Sequence, residues 1–144
     1  MDTLILTGWG WKEYAVTAAA ALRALNGQAA VFGMSKRRLP EFMESEGANW
    51  KRIFLIGLSL SGNEDRLAAA LKALRRRTEV TWISGLPMSE SQAREIAPLL
   101  KAHVFGGGPF NGSLVKAVGT VFKTDVRLVT ATNRNLPLLV RQGR

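Results

Sequence analysis

Short apolar runs alternate with helix-like segments along most of this 144-residue chain, and that alternation constrains its fold more than any other feature. The runs are continuously apolar and rich in Val, Ile and Phe, as expected for strands that are covered on both faces. We predict strands at residues 3–7, 28–33, 53–58, 79–84, 102–105 and 126–130. Helices are predicted between them at residues 12–25, 39–46, 63–77, 90–101 and 112–122.

This order of elements predicts an α/β fold with three layers, in which helices cover both faces of a mostly parallel sheet of five or six strands. Strand 3–7 should be central, with strands 28–33 and 53–58 on its two sides, so the strand order begins 2-1-3-4-5. We expect one α/β domain over residues 1–135. Residues 136–144 are expected to be a tail or a linker to a further domain.

The composition limits the setting and the partners of the chain. It has no cysteine, which excludes disulfides and thiolate metal sites and suits the cytoplasm, where we expect the protein. No apolar run reaches the roughly 18 residues of a membrane span, so no membrane partner is expected. The formal net charge of +9 would allow nucleic acid to bind through the Arg and Lys loops. Arginines at helix ends also oppose the helix dipole, which is a purely structural role.

The first strand leads into a turn and then an Ala-rich helix, and the turn reads Gly8-Trp9-Gly10-Trp11-Lys12-Glu13. This arrangement resembles the first motif of the DHH phosphoesterase superfamily, which includes RecJ-type exonucleases and exopolyphosphatases. The family has a His-x-Asp-x-Asp-Gly turn between such a strand and such a helix. On this chain the His falls on Gly8 and the two Asp fall on Gly10 and Lys12. The resemblance therefore implies that metal ligands have been lost.

Two further motifs of that family match in the same way. Residues 50–61 resemble a strand that ends in a metal-binding Asp, and the matching residue here is Gly57. Residues 79–87 resemble the strand that ends in Asp-His-His, where this chain has Ser84, Gly85 and Leu86. Residues 111–118 resemble the Ser-led helix that follows. The resemblance covers residues 4–122 and implies a degenerate DHH-like domain with no metal, no cofactor and no catalytic residue.

A binding site, if the chain has one, is predicted at the carboxyl ends of the strands, because open parallel sheets bind ligands where the strand order reverses. Those ends carry Gly with Ser or Thr, which are ordinary turn residues and also leave backbone N–H groups and hydroxyls open to an anion. We predict an anionic small molecule or nucleotide as the ligand. The predicted site residues are Gly8, Trp9, Gly10, Lys12, Gly57, Ser59, Ser61, Ser84, Gly85 and Gly107.

Three local patterns offer alternatives. The run at residues 57–62 departs by one residue from the Gly-x-Ser-x-Gly nucleophile elbow, and the only histidine, His103, is expected to be packed or exposed rather than catalytic. Trp9 and Trp11 could stack a base or fill the vacated cleft, and filling is preferred. The acidic residues are not grouped, which disfavours a two-metal site.

The sequence therefore favours a DHH-like binding, regulatory or assembly module that is not an enzyme. A metal-free phosphate or nucleotide sensor is the first alternative, and a nucleic-acid-binding domain is the second. A serine hydrolase is the least favoured. A downstream domain or another protein is the remaining partner class.

Overall fold

The computed structural model describes residues 2–8, 12–85, 87–105 and 113–123. The described strands are β1 (Thr3–Thr7), β2 (Ala30–Gly33), β3 (Arg52–Ile56), β4 (Glu79–Ser84) and β5 (Ala102–Phe105). The described α-helices are α1 (Lys12–Ala24), α2 (Leu39–Glu46), α3 (Glu64–Leu74), α4 (Glu90–Glu95) and α5 (Ser113–Phe122). The predicted strand at 126–130 and the predicted tail at 136–144 lie outside the described residues.

The five strands form one parallel sheet in the order β2-β1-β3-β4-β5. This confirms the predicted α/β fold and its strand order. β1 is the point of reversal, because Ile5 pairs with Val31 of β2 on one side and with Phe54 of β3 on the other. The carboxyl ends of β1 and β3 are therefore neighbours, as predicted.

The alternation of side chains along the strands divides the interior into two cores. Leu4 and Leu6 of β1 face one core, and Ile5 between them faces the other. The first core is completed by apolar residues of α2 and α3, with Ile96 just beyond α4. The second core is completed by residues of α1 and α5. The sheet thus has helices on both faces, which explains why β1 and β3 have consecutive apolar residues at their centres.

Helix α1 buries mainly small residues against the sheet. Ala18 and Ala21 pack into the second core, together with Ala117 and Val118 of α5. Small side chains allow a helix backbone to approach a sheet closely while side chains still fill the space between. None of the described helices is long and apolar enough to cross a membrane.

The ends of α4 and α3 differ from the sequence-based expectation in instructive ways. α4 ends at Glu95, and a 3-10 turn at Ala97–Leu99 contains Pro98, which cannot continue an α-helix. α4 begins with a capping box, in which the Ser89 hydroxyl accepts from the Gln92 N–H at 3.2 Å and the Gln92 side chain accepts from the Ser89 N–H at 3.0 Å. α3 begins at Glu64, and Asn63 at its N-cap makes no side-chain capping bond.

These two N-caps give a matched test of the helix ends. Ser89→Ala removes the bond that the Gln92 N–H donates to the Ser89 hydroxyl, and it is expected to lower the free energy of unfolding by about 1 kcal/mol. Asn63→Ala removes no capping bond and should change it by less than about 0.5 kcal/mol. Urea unfolding of both variants measures the difference, and equal losses would contradict the capping assignment.

Candidate functional site

The point where the strand order reverses brings Gly8, after β1, beside Gly57, after β3. The last pair of the β1–β3 ladder is Thr7 with Ile56, so the two glycines continue from paired residues. In open parallel sheets this crevice is the usual place for a ligand. The structure thus confirms the prediction that the carboxyl ends of β1 and β3 lie side by side.

The ring of Tyr14, from the first turn of α1, occupies the space beside both glycines. A Cβ atom added to Gly8 would lie 2.8 Å from Cε2 of Tyr14, and one added to Gly57 would lie 2.7 Å from Cδ1 and Cε1 of the same ring. Leu114 of α5 closes the far side, at 3.3 Å from the same added atom on Gly57. The ring belongs to the second core and is partly buried. Both positions therefore need glycine because an aromatic ring fills the crevice between them.

The backbone at Gly57 is also engaged. Its N–H donates to the carbonyl of Ile83 at 2.9 Å, so it is not available to an anion. Gly57 has a φ of +72°, a conformation that side-chain-bearing residues rarely adopt. The turn after β3 is thus fixed by a ladder-like hydrogen bond and by the left-handed backbone of one residue.

The serines that follow this turn are occupied with each other. The hydroxyls of Ser59 and Ser61 lie 2.8 Å apart, and both residues are exposed. The amino end of α3 already faces carboxylates, since Glu64 accepts from the Gly62 N–H at 3.1 Å and Asp65 lies in the same first turn. A negative side chain at a helix N-terminus neutralises the partial positive charge that would attract an external anion.

Ser84 ends β4 and contacts the only histidine of the chain. The Ser84 hydroxyl lies 3.1 Å from Nε2 of His103, and Ser84 is buried with an exposed fraction of 3%. The imidazole stacks on the indole of Trp82 at a centroid distance of 4.6 Å. Burial lowers the pKa of His103 from its ordinary value. His103 is thus a half-buried histidine beside a buried serine, and sequence analysis missed the pair because the two residues are brought together only by the β4–β5 ladder.

The remaining predicted site residues are placed only in part. Gly85 directly follows β4, and Lys12 is the first residue of α1, although its side chain is not described. Trp9, Gly10 and Gly107 lie outside the described residues. The role of the ten predicted residues in ligand binding stays a prediction. Among described residues no group of three or more His, Cys, Asp or Glu could hold a metal ion.

Comparisons with known proteins give a fold likeness and no family. No family profile matches the chain, and no curated protein matches it. Among solved structures it is similar to the signal receiver domain of a protein described as a LuxO repressor from Vibrio parahaemolyticus. The two have 13% sequence identity and a TM-score of 0.45, over 92% of this chain and 94% of that chain. A likeness at this level says nothing about function.

The resemblance to the DHH phosphoesterase superfamily is wrong as an identification. No family profile supports it, and the similar solved structure is a signal receiver domain. The physical reason is that strand–helix order, spacing and apolar framework are shared by doubly wound folds in general. The residues that would distinguish a DHH enzyme, its metal ligands, are those that Gly8, Gly57 and Ser84 replace.

The function derived from that resemblance, a non-catalytic DHH-like binding, regulatory or assembly module, is therefore wrong as well, and the geometry of the described residues does not favour its alternatives. A phosphate or nucleotide sensor would use the space beside Gly8 and Gly57, and among the described residues the ring of Tyr14 occupies that space. A nucleic-acid-binding domain needs one continuous basic surface, whereas residues 36–38 follow the carboxyl end of β2 and residues 75–77 precede the amino end of β4. A serine hydrolase needs an accessible serine beside its base, but His103 contacts the buried Ser84.

The contact between Tyr14 and Gly57 can be measured against a second glycine with the same backbone. Gly27 has a φ of +74° and no atom within 4 Å of an added Cβ, so Gly27→Ala should cost only the backbone strain, about 1 kcal/mol. Gly57→Ala adds a collision with the ring and should cost about 1–3 kcal/mol more. Combining Gly57→Ala with Tyr14→Ala should recover that excess. Equal losses at the two glycines in chemical unfolding would contradict the filled crevice.

The half-buried His103 gives a pH dependence with a defined sign. Because the folded pKa of His103 is lowered, the unfolded chain binds the proton more readily below about pH 6.5, so the free energy of unfolding should fall as the pH drops from there towards the folded pKa. Above that range both states are neutral and the contribution is constant. Urea unfolding across pH 5 to 8 should show this slope in the wild type and not in His103→Gln. A slope that persists in the variant would assign it to another group.

Proposed function

We propose that this chain is a regulatory domain that acts by binding another protein or a neighbouring domain, in a cytoplasmic setting. The observation that carries the proposal is the ring of Tyr14 between Gly8 and Gly57. It takes the one crevice that this strand order normally offers to a small ligand. In the described part of the chain the strand order of ligand-binding α/β folds is kept, while a side chain of the domain itself lies beside these two glycines.

The described residues offer exposed surface to a partner, together with a hollow of about 310 Å³ that is lined in part by Phe54 and Phe122. The two large apolar side chains that are most exposed, Val31 at 38% and Phe32 at 44%, lie on the edge strand β2. The edges of the sheet carry shallow hollows with charged walls, among them one of about 570 Å³ at the amino ends of the strands. A protein partner uses open surface of this kind, because interfaces combine a more apolar core with a polar, solvent-accessible rim.

The first arm of the test concerns the crevice. Phosphate, nucleotides and Mg²⁺ at millimolar concentration should leave the melting temperature unchanged, and should not shift the amide signals of Gly8 and Gly57. The same titration is made on Tyr14→Ala, in which the ring is removed from the crevice. It shows whether the measurement detects a ligand once that space is open. A concentration-dependent rise of the melting temperature in the wild type would overturn the proposal.

The second arm concerns the protein partner. A photo-crosslinking amino acid is placed in cells at Val31, Lys72 and Arg94, three exposed positions on β2, α3 and α4. We expect one of these three positions to give a discrete crosslinked adduct with a partner protein. Calorimetry on this protein and that purified partner should then show saturable binding. Absence of any adduct from all three faces, together with a ligand effect at the crevice, would assign the chain to small-molecule binding.

A further inference from the structure

A basic hollow lies at the amino edge of the sheet, opposite the crevice. It has a volume of about 570 Å³, and we call it the arginine hollow. Its wall is formed by residues before β3, after α3 and at the start of β4. The lining residues are Asp2, Lys51, Arg52, Arg75, Arg76, Arg77, Thr78 and Glu79.

The cations of the arginine hollow exceed the anions that could neutralise them. Lys51 lies 3.7 Å from Asp2 in an exposed pair, and Glu79 is paired with Lys101 at 2.8 Å. Within the described part of the chain, residues 75–77 form no ion pair, and all three are exposed. Arg52 donates only to an uncharged acceptor, the hydroxyl of Thr3. Among the described residues, the four guanidinium groups of this hollow are thus left without a carboxylate partner.

The turn that presents these arginines is held in place at both ends. At its start Arg75 donates its N–H back into the last turn of α3, to the carbonyl of Lys72. At its end the Thr78 hydroxyl is buried and donates to the carbonyl of Trp50 at 2.7 Å, with the Gly47 carbonyl at 3.2 Å. Arg52 is held by two bonds to Thr3, at 2.8 and 3.1 Å. A fixed backbone loses less entropy on binding than a flexible loop, so the cations are partly preorganised.

We infer that the arginine hollow binds an acidic segment of a partner protein. This rests on the proposed function and adds to it the chemistry of the partner. Arginine forks pair with carboxylates in bidentate geometry, and complementary charge across an interface favours fast and selective association.

The carboxylates of Asp2 and Glu79 favour a peptide over a nucleic acid. A polyphosphate carries charge at every step of its backbone and would be forced against these two side chains. A peptide can place its carboxylates at intervals and avoid them. None of the residues described as lining the hollow is aromatic, whereas single-stranded nucleic acid is commonly held by bases stacked on aromatic rings.

The test uses a fluorescein-labelled peptide rich in Glu and Asp, and an oligothymidylate of the same net charge, with fluorescence anisotropy at near-physiological salt. The variant Arg75→Glu/Arg76→Glu/Arg77→Glu reverses the charge of three residues that line the arginine hollow. The matched control, Lys36→Glu/Arg37→Glu/Arg38→Glu, makes the same change of net charge at exposed residues elsewhere. A neutral version, Arg75→Gln/Arg76→Gln/Arg77→Gln, serves if the reversal impairs folding, which circular dichroism monitors.

We expect the wild type to bind the peptide, the hollow variant to lose affinity by about tenfold or more, and the control to change by less than about threefold. No peptide binding by the wild type overturns the inference. Equal losses in both charge-reversed variants also overturn it, because they would report net charge alone. Tighter binding of the oligothymidylate through residues 75–77 would replace the protein segment with nucleic acid. None of these outcomes changes the amide shifts of Gly8 and Gly57 that test the regulatory proposal. The peptide-binding inference can therefore fail while the regulatory proposal still holds.

Discussion

The burial of β1 on both faces and along both edges is the constraint on which the rest of this domain depends. Its five residues are all buried, and it pairs with β2 on one side and β3 on the other. Such a strand has no solvent-facing side, so its neighbours must supply apolar surface above and below it. The small residues of α1 meet Ile5 on one face, and α2 and α3 help to enclose Leu4 and Leu6 on the other. The order of strands, the assignment of helices to faces and the position of the crevice all follow from this arrangement.

That arrangement also explains why the crevice can be filled from within the domain. α1 begins at the carboxyl end of β1, so the side chains of its first turn are delivered to the point where β1 and β3 diverge. Tyr14 fits there only because Gly8 and Gly57 have no side chains. In ligand-binding proteins of this architecture, the ends of such strands carry functional groups. Here the ends of β1 and β3 carry glycine and leave room for the ring of Tyr14. The same glycines that the sequence suggested as an opening for a ligand thus serve packing.

The sequence allowed much of the framework to be predicted and little of the site. β1, β4 and β5 were predicted at their observed bounds, because continuous apolar runs between turn residues are a local signal. α4 was predicted too long, since Pro98 permits a 3-10 turn after a helix has ended. The filling of the crevice by Tyr14 and the contact between Ser84 and His103 could not be predicted, because each depends on tertiary geometry between elements. Paired glycines at adjacent strand ends were the available signal, and they are equally consistent with an empty cleft. The identification with a phosphoesterase family failed for the same reason: it used the framework, which many families share.

The amino edge of the sheet, opposite the crevice, is distinguished by its excess of positive charge. In sheets of this kind the carboxyl edge usually carries function, and residues at the amino edge usually serve stability. A cation near the end of α3 is useful to the helix dipole, and Lys72 in its last turn already provides one. Three further arginines directly after it add mutual repulsion without a described carboxylate to offset it. Repulsion of this kind disfavours the isolated domain and is relieved when an anionic surface approaches. The fold does not need these clustered arginines, and a partner of opposite charge would stabilise them. This is the physical basis for assigning the interaction to the amino edge.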